Sequence, residues 1–336
     1  MPRIGRLFIP GGCYHLIGRG LEKRNIFGSS VDKRDFLARI GEHLQRTDYQ
    51  CLAWALMSNH YHFLVRAGTS SLNTLMAPVL GGFAGAYNRR HGRSGYVFQN
   101  RFTSILCDED NYLLELSRYI HLNPVRAGIV DTLEALDQYR WTGHAGLLGR
   151  YRQPWHQTDS ILAHFGRARN EAVRSYSLFV LEGIDKPGIV DLSGGGLIRS
   201  YDGWEAVKRA RQEHKLRIGD ERILGDSDFV RKALREDSIK VELKSKLARA
   251  GWDLERLIHK TCAVLNMHPD DLLKKSRKSD ASKAKAMICY WGTEKLGLKA
   301  CDIAKRLTIS QPAVSKWVAK GRLQKNDNSP FAEMDD

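Results

Sequence analysis

The sequence predicts an α+β domain on a mostly antiparallel sheet, followed by an all-α C-terminal domain. Three observations carry this reading. Residues 11–130 run as strand, helix, two strands, helix, strand and helix. Turn-forming Gly, Asn and Pro stand between several of these stretches. From about residue 201 the chain is helical in pattern and strongly charged, with no sustained heptad and no internal repeat.

Each element has its own warrant. "GGCYHLIGRG" (11–20) is a first strand closed by glycines, with basic "EKRN" after it. "SVDKRDFLARIGEHLQRT" (30–47) is helical, because Phe36, Leu37, Ile40 and Leu44 recur at helical spacing, and Ser30 or Asp32 can cap it. "YQCLAWALM" (49–57) and "SNHYHFLV" (58–65) are two strands, with Asn59 as the turn point between them. Alternation puts Met57, Tyr61, Phe63 and Val65 on one side, and Ser58, His60 and His62 on the other. A helix over 71–95 is weakened by Gly81 and Gly82 and ends in a basic, Gly-rich loop. "YVFQNRFTSILC" (96–107) is a further strand. "DEDNYLLELSRYIHLNPVRAGIV" (108–130) opens with acids that suit a helix N-terminus and runs to Pro124. Beyond Trp141 short helices are expected to pack against this domain, and "DLSGGGLIRS" (191–200) reads as a flexible junction. The expected divisions are 1–145, a helical extension and linker over 146–237, a helical domain over 238–325, and a disordered tail over 326–336.

Composition narrows the function. A chain of 336 residues with 42% hydrophobic residues can bury a real core, which excludes wholesale disorder. The net charge of +15, spread along the length, favours polyanion partners and nucleic acid first. No stretch reads as a transmembrane helix or a basic amphipathic anchor, and "MPRIGRLFIPGGCYH" is a poor signal peptide. Six scattered cysteines without a C-x-x-C pair look like reduced structural thiols, so a cytoplasmic protein with no membrane partner is expected.

Two short stretches carry chemistry. His60 and His62 share one face of their strand; a solvated face that happens to hold histidines is the plain reading, and a metal site is the sharper one. In "RYIHLNP", Tyr119 and Asn123 lie four apart on one helical face, while His121 points elsewhere as a packing or surface residue. A tyrosine beside an amide is ordinarily structural. Taken together, however, two imidazoles and an amide oxygen can hold a divalent metal, and a tyrosine hydroxyl is then a usable nucleophile toward a phosphate.

"GGCYHLIGRG", "SNHYHFLV" and "YVFQNRFTSILCDEDNYLLELSRYIHLNPVRAGIV" resemble the single-tyrosine HUH transposases of the IS200 type, and most closely their REP-associated branch. The resemblance covers residues 8–145 well and continues more weakly through "GGGLIRS" and "GDERILGDSDFV". It implies a ferredoxin-like HUH fold, His60, His62 and Asn123 as ligands of Mg or Mn, and Tyr119 as the nucleophile. The insertion-sequence enzymes carry glutamine where Asn123 stands; the REP-associated branch uses asparagine. The implied activity is cleavage and transfer of single-stranded or hairpin DNA through a 5′-phosphotyrosine. The alternative is a domesticated, non-cleaving regulator of repeat elements; retention of all four site residues argues against it. Arg19, Lys23, Arg24, Arg89, Arg90, Arg93 and Arg101, interleaved with Tyr87, Tyr96 and Phe98, are the candidate DNA contacts. Arg126, just past the helix, suits a phosphate or an ion pair.

A separate signal lies at the far end. "ACDIAKRLTISQPAVSKWVAKGR" (300–322) reads helix, turn, helix, with Ile303, Leu307, Ile309, Val314 and Trp317 as its core and Ser310 as a cap. It resembles the DNA-binding domain of the bacterial replication initiator, though "QPAVS" departs from that protein's DNA-reading segment. Gln311, Ser315 and Lys316 are the residues expected nearest a duplex groove. The expected state is a monomer or homodimer.

Overall fold

The computed structural model describes residues 5–184, 219–272, 279–323 and 330–331. It divides into two units, Met1–Leu234 and Arg235–Asp336. In the first, strands β1 (Cys13–Arg19), β2 (Gln50–Leu56), β3 (His60–Arg66), β4 (Thr103–Cys107) and β5 (Ile223–Leu224) form one sheet in the order β2-β3-β1-β4-β5. The central β1 pairs antiparallel with both β3 and β4, and β2 pairs antiparallel with β3. Only β5, two residues in parallel register with β4, departs from this pattern. It was not expected, since two residues are too short to show alternation.

Helices cover both faces of the sheet. Tyr14, Leu16, Trp54, Leu56, Tyr61, Phe63 and Val65 share a core with Phe36 and Ile40 of α1 (Ser30–Arg46) and Leu75, Val79 and Phe83 of α2 (Leu72–Arg90). Each fully buried Phe there contributes about 1.5–3 kcal/mol relative to exposure. On the opposite face, Ala53, Ala55, Leu64 and Ile105 pack with Leu113, Leu116 and Ile120 of α3 (Glu109–Arg126). The α+β class with a mostly antiparallel sheet is thus as expected. Gly18 stands directly across from Tyr61, and a Cβ there would collide with the tyrosine ring, so this close approach requires glycine.

Several local expectations are corrected. Met57 lies in the core beneath α3, not with Tyr61, Phe63 and Val65, because the β2–β3 turn reverses the alternation. Ser29, not Ser30 or Asp32, caps α1 by accepting from the Asp32 N–H; the Asp32 carboxylate is buried instead. Residues 96–102 do not extend β4: Phe98 makes one isolated bridge to Gly20. Helix α2 runs unbroken through Gly81 and Gly82 but stops at Arg90, short of the Gly-rich loop. Helix α3 passes through Pro124 and ends at Arg126. Proline removes the N–H that the Ile120 carbonyl would receive. The Asn123 side-chain amide approaches that oxygen at 3.5 Å and donates to the Tyr119 carbonyl at 3.0 Å, which eases the defect.

The chain continues through α4 (Leu133–Asp137), α5 (Gly143–Leu147), α6 (Thr158–Leu162) and α7 (Arg169–Leu181). The boundary expected at 145/146 falls inside α5, and Leu147, Ile161, Tyr176 and Val180 all join the core under α3. The 191–200 junction lies outside the described residues. The observed division, between Leu234 and Arg235, falls within the helix Ser227–Arg249.

The second unit is helical, as expected. Leu254–Val264, Ser279–Glu294, Ala300–Leu307 and Gln311–Leu323 pack around Leu257, Ile258, Ile288, Ile303, Leu307 and Val314. Of the tail expected to be disordered, 330–331 are described, and Phe331 is buried against Trp252 and Trp291, with ring centroids 4.4 and 5.3 Å away. An aromatic residue with two indoles to pack against gains enough apolar contact to be held.

Candidate active site

His60 and His62 lie on the sheet face that α3 covers. His60 stands opposite Arg19, and His62 opposite Ile17 on one side and Ala55 on the other. Their ring centroids are 5.1 Å apart. Tyr119, on α3, meets the His62 ring edge-on at 6.0 Å. A third histidine, which the sequence reading passed over, completes the group. His15 on β1 stacks on His62 at 5.0 Å, with its Nε2 2.8 Å from His62 Nδ1, and meets the Tyr119 ring at 6.2 Å. Its signal was present: His15, Ile17 and Arg19 occupy the same strand face as His60 and His62 once β1 and β3 are placed in register.

The electrostatics hold His60 and His62 neutral. Burial, then the Arg19 charge, lowers His60 to about 4. Burial, then His15, His60 and Arg19, carries His62 well below the ordinary histidine value. The hydrogen bonds also sort the ring nitrogens. Asn59 donates its amide to the Lys23 carbonyl at 3.0 Å, so its Oδ1 is the acceptor for His60 Nδ1–H at 2.6 Å. His60 Nε2 therefore keeps its lone pair. In His62, Nδ1 is engaged by His15 and Nε2 is the nitrogen left for a ligand.

Asn123 follows Tyr119 by one helical turn. Its amide N–H groups face the Tyr119 and Ile120 carbonyls, which leaves Oδ1 as its donor to a cation. Among the described residues no three His, Cys, Asp or Glu side chains converge on one point as a metal-binding group. The side chains that could contribute to holding a cation are His60 and His62 through Nε2 and Asn123 through Oδ1. Such a set suits a divalent cation that keeps some oxygen ligands. Arg126 places its guanidinium carbon 5.5 Å from the Tyr119 ring centroid and donates to the Gly183 carbonyl at 3.4 Å. Burial lowers its pKa, and Tyr119 opposes that effect. Tyr61 is fully buried on the far face of its strand, as expected, and burial raises its pKa. His121 is a buried packing residue bonded to the Tyr176 hydroxyl at 2.8 Å.

The basic residues divide into groups. Arg19, Lys23 and Arg24 are exposed beside the histidine end of the sheet, where Gly20 N–H donates to the Asn59 carbonyl at 2.8 Å. Leu21 N–H bonds to Val97 O, and Gln99 N–H to Arg19 O, both at 2.9 Å, which brings the 97–99 segment to the same place. Arg24 also pairs with Glu22 at 2.5 Å. Arg89 is exposed and Arg93 half-buried. Arg90 is held by buried Asp32 at 2.9 Å and by Asp35 at 3.0 Å, so its charge serves the α1–α2 contact. Arg101 is exposed and lines a crevice with Arg6, Phe102 and Arg222. Of the three aromatics, Tyr87 is buried with its hydroxyl on the Asn25 carbonyl, Phe98 packs into the core, and Tyr96 is 84% exposed.

In the second unit, Gln311, Ser315 and Lys316 are exposed on the last helix, while Ile303, Leu307 and Val314 are buried and Ile309 and Trp317 pack beside them. The Ser310 hydroxyl accepts from Ala313 N–H at 3.4 Å, as a cap would.

Comparison with a family model bears out the IS200-type resemblance over residues 11–123. The family model described as IS200-like transposase matches residues 11–123 of the 336. A solved structure, that of the REP-associated tyrosine transposase bound to a REP hairpin, aligns at 16% identity and a TM-score of 0.37. The alignment covers 46% of this chain and 89% of that one. No curated protein matches the chain.

Proposed function

We propose that this chain, whose residues 11–123 match the IS200-like transposase family model, cleaves and rejoins single-stranded DNA with Tyr119 as the nucleophile. His60, His62 and Asn123 would together hold one Mg or Mn ion. When bound, such an ion neutralises charge on a non-bridging phosphate oxygen and eases departure of the 3′ oxygen. Tyr119 Oη attacks the phosphorus in line; the bond to the 3′ oxygen breaks, and the phenol proton ends on that oxygen. The products are a 5′-phosphotyrosine and a free 3′-OH. Because the ester conserves the phosphodiester linkage, a second 3′-OH can reverse the step without ATP. Arg126 supplies positive charge beside the phenolate as it develops.

Arg19, Lys23 and Arg24 at the histidine end of the sheet, with Arg89, Arg93 and Arg101, contact the phosphate backbone, and exposed Tyr96 stacks an unpaired base. Gln311, Ser315 and Lys316 give the chain a second grip, on duplex DNA. Hairpin repeats are the substrate that the family resemblance favours. The cytoplasm is the expected compartment; among the described residues no helix is long and apolar enough to cross a membrane.

The observation that supports this reading most directly is the Tyr119 ring at 6.0 Å from His62, an imidazole that burial keeps neutral. The test is denaturing electrophoresis after incubation with end-labelled hairpin DNA and Mn. Wild type should carry a 5′-linked adduct that survives boiling in detergent, and Tyr119→Phe should carry none while still binding the hairpin. An adduct persisting in the Phe variant would end the proposal.

A further inference from the structure

We infer that His15 is a positioning residue: its Nε2 accepts the Nδ1–H of His62 and so presents the His62 Nε2 lone pair to a divalent cation. The inference rests on the reading of His60 and His62 as metal ligands. His15 Nε2 and His62 Nδ1 are 2.8 Å apart, and a hydrogen bond between them needs its proton on one of the two. If His15 donated it, the one proton of neutral His62 would sit on Nε2, and that nitrogen could not ligate. If His62 donates it, Nε2 carries a lone pair. Metal-bound histidines ordinarily donate their second ring N–H to such a partner, which fixes both tautomer and ring orientation.

The backbone makes His15 a rigid partner. It is 1% exposed and lies on the central strand, where Leu64 of β3 and Ile105 of β4 stand opposite it on either side. Neither ladder lets that strand slide without breaking the other. The His15 and His62 rings are 22° from parallel, and both meet Tyr119 edge-on. His15 thus sits where it can set the His62 ring against both the metal position and the nucleophile. His60 has an equivalent partner in the Asn59 side chain. The two proposed imidazole ligands would then each have a fixed Nδ1–H acceptor, one an amide oxygen and one a ring nitrogen.

The experiment titrates metal-stripped, full-length protein with Mn alone, following free Mn by electron paramagnetic resonance in the absence of DNA. Wild type is compared with His15→Phe, His15→Gln and the double variant His60→Ala/His62→Ala. Loss of the acceptor in His15→Phe should weaken Mn binding about 10–100-fold. Glutamine, whose amide oxygen can accept from Nδ1–H, should restore most of that loss. Hairpin binding in EDTA should be the same for all. Should His15→Phe fail to fold, His15→Met serves as the variant without a good acceptor. Wild-type Mn affinity in the acceptor-less variant would overturn the inference, as would equal weakening in the Phe and Gln variants, which would mark the contact as packing. If the double alanine variant bound Mn as wild type does, the metal reading itself would fall; binding lost there but retained in His15→Phe would sink only the role of His15.

Discussion

Two clusters of histidine and tyrosine share helix α3, and they differ in how their polar atoms are used. In one, Tyr176 is fully buried, and its hydroxyl lies 2.8 Å from His121 Nδ1 and 2.9 Å from His144 Nδ1, while His144 Nε2 reaches Asp137 at 2.8 Å. Burial pushes that phenol well above its ordinary range. In the other, Tyr119 is half-buried and meets imidazole edges, with Arg126 near its ring. Residues two apart on a helix lie about 200° around its axis, so His121 and Tyr119 belong to different neighbourhoods although they are almost adjacent in sequence. The residue types are alike, but the first cluster ties its tyrosine hydroxyl into the fold through two imidazoles, and the second sets its tyrosine ring against the edges of two others. Composition alone does not separate the two; the partner of the tyrosine hydroxyl does.

The largest expected effect separates the two clusters directly. His62→Ala should abolish adduct formation even in the folded fraction, although losing the hydrogen bond to buried His15 lowers stability as well. His144→Ala should lower stability alone. It strands the Tyr176 hydroxyl and the Asp137 carboxylate from a shared partner, at a cost of about 1–3 kcal/mol in stability. Adduct yield per folded molecule should then be unchanged. Measuring yield and thermal melting on both variants decides the matter, and adduct formation surviving in His62→Ala would erase the distinction.

A second test uses pH. His156, buried beside the edge strand β2 and hydrogen-bonded to the Leu52 carbonyl, is lowered by burial to about 4. Its ordinary value is near 6.5. As pH falls through that ordinary value the unfolded chain takes up a proton that the folded chain refuses. Stability is therefore full above about pH 6.5 and is lost as pH falls toward 4. At pH 5 the loss is about 2 kcal/mol for this one group. His156→Gln removes the titration and keeps a donor for Leu52. Urea unfolding at pH 7.5 and 5.0 should show wild type losing about 2 kcal/mol more than the variant. Equal losses would mean that His156 is protonated in the folded protein.

Much of this could be read in the chain, and the failures have physical reasons. Phe36, Leu37, Ile40 and Leu44 gave α1 because helical spacing is a local signal, and all four are buried. His60, His62 and Tyr119 stood out because each sits in a strongly patterned element, and the fold brings them together. His15 did not stand out, because its role depends on the register of two strands separated by more than forty residues in the chain. Arg90 and Tyr87 looked like DNA contacts from charge and aromaticity alone; Asp32, Asp35 and the Asn25 carbonyl, which engage them, lie on distant segments. Local pattern is legible in sequence. Pairing across the fold is not.

The smallest expected effect concerns the second unit and extends the contrast to its surface. On the last helix, Lys320 lies 5.1 Å from the Trp317 ring centroid, and Arg322 pairs with Glu294 at 3.1 Å, so both have work within the fold. Lys316 is exposed, directly after exposed Ser315 on that helix. If this stretch of the helix meets duplex DNA, Lys316 meets a phosphate. A phosphate contact releases condensed counterions, so its loss changes the salt dependence of binding rather than its sequence preference. Lys316→Ala should therefore weaken duplex binding to about the same extent on every sequence and make the slope of log affinity against log salt shallower by about 1. Adduct formation on a short single-stranded hairpin should not change, because Tyr119 and its histidines lie in the other unit. Fluorescence anisotropy across a salt series measures both quantities. An unchanged slope would mean that this helix does not meet the phosphate backbone, and the duplex-binding role would have to be sought elsewhere on the chain.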